Sequence, residues 1–234
     1  MDWALAIKRN RAALLRILAA LFALAGLEDG QSGPARAADG PLFLPRHLHA
    51  YVLRISRAAE SAIRRLIVIA AREVAVQPCP TGGFSLRNFG GKHQNVAAAP
   101  IRIPAFPLLD PLRKYPFEPP RRASKFMPRI CVVGFTEPAP LPQKPVLRPD
   151  DPVDAAGICR RLLASRRALE NLPAQARRLA RWQARRRLRQ GPGRVVPLRF
   201  GRPPGGRKRP IHVVDDILKE CHALALDVLS PDTS

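Results

Sequence analysis

Residues 48–70, LHAYVLRISRAAESAIRRLIVIA, carry the clearest helical signal in the chain and decide its fold class. Apolar residues recur every three or four positions, at Leu48, Val52, Ile55, Ala59, Ile63, Leu66 and Ala70. In an α-helix this spacing gathers the apolar side chains on one stripe. Five arginines lie outside the stripe: Arg54, Arg57, Arg64, Arg65 and Arg72. The segment therefore predicts an amphipathic helix that begins after Pro45.

A similar pattern precedes it. Apolar residues repeat at Trp3, Ile7, Leu14, Leu18, Leu21 and Ala25, while Lys8, Arg9, Arg11 and Arg16 gather on the other side. The glycines and proline of residues 28–41 would let the two helices pair as a hairpin. We therefore expect residues 1–75 to form an amphipathic helical pair.

The first helix also allows a membrane interpretation. Its apolar run, residues 17–27, is too short to cross a bilayer, which needs about 20 residues; extended back through Arg16, it leaves a marginal span. Lying at a membrane surface, it would insert an apolar face and keep its arginines at the headgroups. The inserting side chains would be Trp3, Leu14, Leu18, Leu21 and Phe22. Two alternatives stay open: burial against the second helix, and a signal peptide cleaved after Ala37.

The middle of the chain, residues 76–150, holds 15 of the 26 prolines. Helices and central strands do not persist at this proline density. We expect a proline-rich linker that is largely irregular, with residues 129–135 (RICVVGF) as the only short strand candidate. Docking of a partner onto its extended segments is the alternative.

Residues 151–234 return to a helical pattern and are predicted as a basic three-helix module. Asp151 and Pro152 suit the start of its first helix, and Leu172-Pro173 ends it. A second helix would run to about Gln190, and a third would begin near His212. The predicted fold class is mainly α, with two small amphipathic helical modules joined by a proline-rich irregular segment. Because each module has little core, a homo-oligomer or a helical protein partner is expected.

The net charge of +22 and the isoelectric point near 11.5 predict a polyanionic partner. Nucleic acid, anionic membrane surfaces and acidic proteins all fit such a field. Because only seven of the 40 basic residues are lysine, codon bias toward arginine explains part of the excess. Local clustering of charge is therefore more informative than the total.

One tract concentrates the charge. Thirteen basic residues lie between positions 177 and 209, and no acid occurs between Glu170 and Asp215. On the second helix of the module, one half of the circumference holds Arg177, Arg178, Arg181, Trp182, Arg185, Arg186 and Arg189. Arginine forks clamp phosphates, and an indole can stack on a base. This face predicts nucleic-acid binding. The alternatives are a solvated surface, or one shielded by the acidic C-terminal helix.

Residues 199–210, RFGRPPGGRKRP, resemble an AT-hook, an extended motif that binds the DNA minor groove around a Gly-Arg-Pro centre, here Gly201-Arg202-Pro203. The resemblance implies that Arg202 enters an A·T-rich minor groove and that Arg207, Lys208 and Arg209 meet phosphates. Phe200 stands where the family places an arginine. A flexible basic linker is the alternative.

Catalytic patterns are missing from the sequence. The cysteines at 79, 131, 159 and 221 have no metal or redox spacing, and no histidine stands in a recognisable motif. There is no Walker loop, no H-E-x-x-H and no G-x-S-x-G. We therefore expect a non-enzymatic protein without metal or cofactor. It is expected in the cytoplasm, where it binds nucleic acid or, alternatively, the inner face of the membrane as an adaptor; export is the further alternative.

Overall fold

The computed structural model describes residues 2–26, 42–76, 104–112, 148–188 and 196–229, and it is mainly helical, as predicted. The elements in chain order are α1 (Trp3–Leu24), β1 (Phe43–Pro45), α2 (Arg46–Ala71), β2 (Pro152–Asp154), α3 (Ala156–Glu170), α4 (Leu172–Leu188) and α5 (Val213–Leu229). The two short strands pair antiparallel, with Leu44 opposite Val153.

Helix α2 is the centre of the fold. It packs against α1, α3, α4 and α5, and residues 58–69 are buried without interruption. A helix surrounded on all sides buries every face, including its polar positions. Arg64 and Arg65, which the periodicity places outside the apolar stripe, are only 5% and 0% exposed.

The helices share one hydrophobic core, to which α1, α2, α3, α4 and α5 all contribute. The described residues within Met1–Pro111 and Pro149–Ser234 form one compact unit, whereas the sequence predicts separate modules at 1–75 and 151–234. The reason is physical: each outer helix has a single apolar stripe, and α2 is the surface that all of them can cover.

The segment 104–112 has neither helix nor strand, as expected for the proline-rich region, but it is not simply a spacer. Phe106 and Leu108 are buried in the core, and Asp110 is buried beside them. This part of the proposed linker therefore belongs to the folded unit. The strand candidate at 129–135 lies outside the described residues.

The apolar face of α1 is buried in the protein. Leu14, Leu18, Leu21 and Phe22 are at most 4% exposed. Trp3 is partly buried, with the Arg72 guanidinium 4.9 Å from its ring centroid. Burial against α2, one of the three interpretations of this helix, is what the structure shows. No described helix is long and apolar enough to cross a membrane, and the proposed cleavage site at 35–37 lies outside the described residues.

The predicted helix starts and ends agree closely with the structure except at α3. That helix begins at Ala156, because Pro152–Asp154 pairs with β1 instead. Asp154, and not Asp151, accepts a hydrogen bond at the helix start, from the Ala156 N–H at 2.8 Å. The N-cap position itself is Ala155, which has no side-chain cap, so strand pairing moves the helix start beyond the expected Asp151.

Helix α5 packs mainly against α2 and α1. Its Glu220 pairs with Arg9 of α1 and accepts a hydrogen bond from Asn10 Nδ2 at 3.2 Å. The sequence suggests that this acidic helix shields the arginines of α4. Its packing instead places it on α2 and α1, and the carboxylate of Glu220 pairs with residues of α1.

Candidate functional site

Helix α4 is held to the core by one narrow face. Leu172, Ala176, Leu179 and Ala180 are buried, and the helix packs against α2 and α3. Alanine, leucine, arginine and glutamine are all strong helix formers, and Arg185, Arg186 and Arg187 in the last turn complement the helix dipole. The local sequence therefore favours a helix whose remaining circumference is free to carry charge.

The arginine face of α4, defined here as Arg177, Arg178, Arg181 and Arg185, is exposed. Within the described residues, Arg177 and Arg181 make no ion pair or side-chain hydrogen bond. Arg185 Nε donates to the Arg181 carbonyl at 3.3 Å, and Arg178 donates to the Phe106 carbonyl at 2.8 Å. Four of the seven predicted side chains are thus aligned toward solvent, and none of these four is neutralised by a carboxylate of the described chain.

The other predicted members of this face are placed differently. Arg186 is half-buried, and Arg189 lies outside the described residues. Trp182 is partly buried and packs against the core. Its ring is therefore less available for stacking on a base than its position on the helical wheel indicates.

The second group of predicted residues lies in the basic segment, defined as residues 199–209, which is docked on the core. Gly201 and Gly205 have φ angles of 75° and 80°, and the Gly206 N–H donates to the Pro203 carbonyl at 3.0 Å. A Cβ added at Gly205 would lie 2.8 Å from the backbone nitrogen of Ala58. The segment therefore turns against α2, unlike the extended AT-hook that it resembles in sequence.

All four cations predicted in the basic segment are exposed: Arg202, Arg207, Lys208 and Arg209. Between them and the arginine face of α4 runs the segment 106–110. Arg178 donates to the Phe106 carbonyl at 2.8 Å, the Asp110 N–H donates to the Pro197 carbonyl at 3.0 Å, and the Arg199 N–H donates to Asp110 Oδ2 at 3.3 Å. One piece of backbone thus ties together the two cationic surfaces.

Beneath these surfaces lies a buried ion network that sequence reasoning missed. Asp110 accepts from Arg65 Nη2 at 2.9 Å and from Arg64 Nη1 at 3.3 Å. Glu60 accepts from Arg161 at 2.7 and 2.8 Å. A signal was present, since polar residues 60, 61, 64 and 65 interrupt the most apolar part of α2. Asp110, the partner of Arg64 and Arg65, lies far away in the proline-rich region and could not be found by periodicity.

Burial and pairing act against each other on these arginines. Desolvation lowers the pKa of Arg64, and the nearby Asp110 and Glu60 oppose that shift. For Arg161 the hydrogen bond to Glu60 dominates and raises the pKa. Both guanidinium groups stay charged at neutral pH, so the network holds fixed charges inside the fold.

His222 joins this network to the basic segment. Arg65 Nε donates to His222 Nδ1 at 3.2 Å, and His222 Nε2 lies 3.1 Å from the Gly201 carbonyl. Because a guanidinium only donates, Nδ1 must be the acceptor. The ring proton is then on Nε2, which donates a hydrogen bond to the Gly201 carbonyl. Burial and the Arg65 charge lower the pKa of His222. The neutral imidazole therefore anchors the turn at Gly201.

The described cysteines are buried in apolar surroundings. Burial raises the pKa of Cys221 to about 12, and it also raises that of Cys159. These thiols are therefore poor nucleophiles at neutral pH. No group of His, Cys, Asp and Glu within the described residues has an arrangement that could hold a metal ion.

Comparison with known proteins adds no relative: no family model, no curated protein and no solved structure matches this chain.

Proposed function

We propose that the protein binds nucleic acid, chiefly through its phosphate backbone, with the arginine face of α4 and the cations of the basic segment. The observation that carries this proposal is the exposure of Arg177, Arg178, Arg181 and Arg185 on one face. They belong to a stretch of chain without a single acid between Glu170 and Asp215.

The spacing of these arginines suits a repeating anion. Residues three to four apart on a helix have Cβ atoms about 5–6 Å apart, so their guanidinium groups can reach neighbouring phosphates. Each guanidinium offers several donors that match phosphate oxygens. Contacts of this kind position a protein on nucleic acid without selecting a sequence. Binding is therefore expected to be tight at low salt and weakly sequence-dependent.

The membrane-surface alternative is less well supported by the geometry. It requires the apolar face of α1 to enter lipid, yet Leu14, Leu18, Leu21 and Phe22 are core residues of the folded unit. Entering lipid would require α1 to give up this packing and would leave the apolar residues of α2 beneath it uncovered. The arginine face of α4 needs no such rearrangement.

The direct test is fluorescence anisotropy with labelled duplex and single-stranded probes in low salt. A triple variant, Arg177→Gln, Arg181→Gln and Arg185→Gln, removes the centre of the face. A matched control, Lys8→Gln, Arg16→Gln and Arg167→Gln, removes the same charge from exposed positions on α1 and α3.

The α4 variant should weaken binding of every probe at least about tenfold, because each arginine–phosphate interaction that it removes is worth roughly 0.5–1 kcal/mol. The control variant should reduce affinity severalfold less than the α4 variant does. Equal reductions of affinity in the two variants would mean that net charge alone is responsible. No measurable affinity of the wild-type protein for either probe would reject the proposal.

A further inference from the structure

Phe200 is held in solvent by an ordered backbone. Its side chain is 76% exposed. The residue before it donates its backbone N–H to Asp110 Oδ2 at 3.3 Å, and the carbonyl of Gly201 after it accepts from His222 at 3.1 Å. The left-handed φ of Gly201 turns the chain immediately beyond the ring. The phenyl group is therefore presented to solvent by a backbone that is hydrogen-bonded on both sides of it.

Cations flank this ring in the sequence. The basic segment contains Arg199 and Arg202 next to Phe200, then Arg207, Lys208 and Arg209, and no acid. Arg207 and Arg54 of α2 line the same small cavity beside Gly205, together with Asp215 of α5. Helix α2 thus adds a further cation next to the segment, and one carboxylate lies in the same cavity. Arg199 folds back so that its Nε donates to the Arg202 carbonyl at 2.9 Å, and the ring of Phe200 is exposed.

An exposed aromatic ring among cations is the arrangement that proteins use to hold unpaired bases. The ring stacks on a base while the cations hold the phosphates on either side of it. A duplex offers no free base face, because its bases are already stacked on one another. The same chemistry recognises single-stranded DNA and single-stranded RNA.

We propose that Phe200 is a base-stacking residue, and that the basic segment with Arg202 and Arg207 forms a subsite for single-stranded nucleic acid. This inference rests on the proposed function, because it assigns part of the affinity to unpaired bases. It makes Phe200 the principal stacking side chain in place of Trp182, because Trp182 is partly buried against the core.

The test uses the full chain with Phe200→Ala, Phe200→Leu and Phe200→Tyr. The control is Phe43→Ala, which removes another exposed phenylalanine, 54% exposed on β1. Probes are labelled oligo(dT) and oligo(rU) of about 16 nucleotides, the upper end of the range for one binding site of this kind, and a duplex with the same number of phosphates. Thermal unfolding of each variant checks that the exposed substitutions leave the fold intact.

Phe200→Ala should weaken binding of both single strands by about 5- to 100-fold, as expected when one base–aromatic stack is removed. Duplex affinity should stay within about twofold. Phe200→Leu should behave like the alanine variant, Phe200→Tyr should retain binding, and Phe43→Ala should have no effect. A reduction confined to oligo(dT) or to oligo(rU) would identify which of the two strands the subsite holds.

Three results would overturn the stacking inference alone: unchanged single-strand affinity in Phe200→Ala, an equal reduction on the duplex, or full retention in Phe200→Leu. Wild-type protein that binds neither single strands nor duplex would overturn this inference together with the proposed function.

Discussion

Two buried arginines of α2 share one aspartate as a counter-charge. Asp110 is 1% exposed and pairs with both Arg64 and Arg65. An uncompensated buried charge is one of the largest destabilising effects that a point substitution can cause. The segment 104–112 therefore contributes the carboxylate that pairs with Arg65, and a second one for Arg64, which also pairs with Glu60 of α2.

Asp110→Asn should lower the free energy of unfolding by about 3–5 kcal/mol, because it leaves Arg65 buried without a carboxylate and Arg64 with Glu60 alone. Urea denaturation followed by circular dichroism measures this. Glu170→Gln, which breaks the solvent-accessible pair with Arg166, should cost less than about 1 kcal/mol. Similar costs for the two variants would show that the buried network is not a special source of stability.

Substitution by alanine should have opposite effects on stability at Gly205 and at Gly157. Gly205 has a φ of 80°, and an added Cβ would meet Ala58 backbone atoms at 2.8 and 2.9 Å, whereas a Cβ at Gly157 in α3 meets nothing within 4 Å. Gly205→Ala should destabilise by about 1–3 kcal/mol through backbone strain and the clash with α2. Gly157→Ala should be neutral or stabilise by up to about 1 kcal/mol. Thermal unfolding separates the two, and a neutral Gly205→Ala would contradict the docking of the basic segment on α2.

His222 makes stability depend on pH in a known direction. Its folded pKa lies below the ordinary 6.5, so the fold favours the neutral ring. The groups facing it are Arg65, which repels a second proton, and Asp110, which attracts one more weakly. This contribution is present above pH 6.5 and is lost as pH falls from 6.5 through the lower folded pKa.

We therefore expect the stability difference between wild type and His222→Gln to shrink as pH is lowered below 6.5. Denaturation curves for both proteins at a series of pH values measure it. A difference that does not vary with pH, or that grows on acidification, would contradict the assigned hydrogen bonds of His222.

At the scale of elements, periodicity locates helices well and their neighbours poorly. The bounds of α1, α2, α4 and α5 follow from apolar spacing and from the breaks at Leu172-Pro173 and before His212, since these signals are local. The late start of α3 depends on pairing with β1, more than a hundred residues earlier in the chain. A pairing over that separation gives no signal in the local sequence of the helix.

The same limit applies to the candidate site. The arginine face of α4 could be predicted because 100° per residue fixes which side chains share a face. The burial of Trp182, the docking of the basic segment and the partner of Arg65 could not, because each depends on which helix packs where. The placement of Phe200 likewise depends on Asp110 and His222, which are distant in sequence.

Helix α1 provides the prediction that belongs to this scale. Leu18 is buried in the core, whereas Leu5 on the same helix is 62% exposed. Leu18→Ala should cost about 2–5 kcal/mol of unfolding free energy because it leaves a cavity, and Leu5→Ala should cost less than about 0.5 kcal/mol. A different result would favour a lipid-facing α1 instead. In that case both substitutions would change the unfolding free energy little and equally, and Leu18→Ala would weaken binding to anionic vesicles.

At the scale of the whole molecule, the arginines fall into two groups, one buried in ion pairs and one exposed on the surface. Arg64 and Arg65 lie inside the unit and are held by Asp110. Arg177, Arg181 and the cations of the basic segment remain on its surface. The net charge of +22 is therefore not evenly available to a partner. Local charge, and not the total, should decide where a polyanion binds.

The salt dependence of nucleic-acid binding tests this account most directly, because the slope of log affinity against log salt concentration reports the number of phosphates that the protein neutralises. Anisotropy titrations across a salt series should give a steep negative slope for the wild-type protein on a duplex. The triple variant Arg177→Gln, Arg181→Gln and Arg185→Gln should reduce that slope by about two to three, at roughly 0.9 per phosphate. The matched control on α1 and α3 should leave the slope unchanged. A slope that is the same in all three proteins would contradict the assignment of the arginine face of α4 as the phosphate-binding surface.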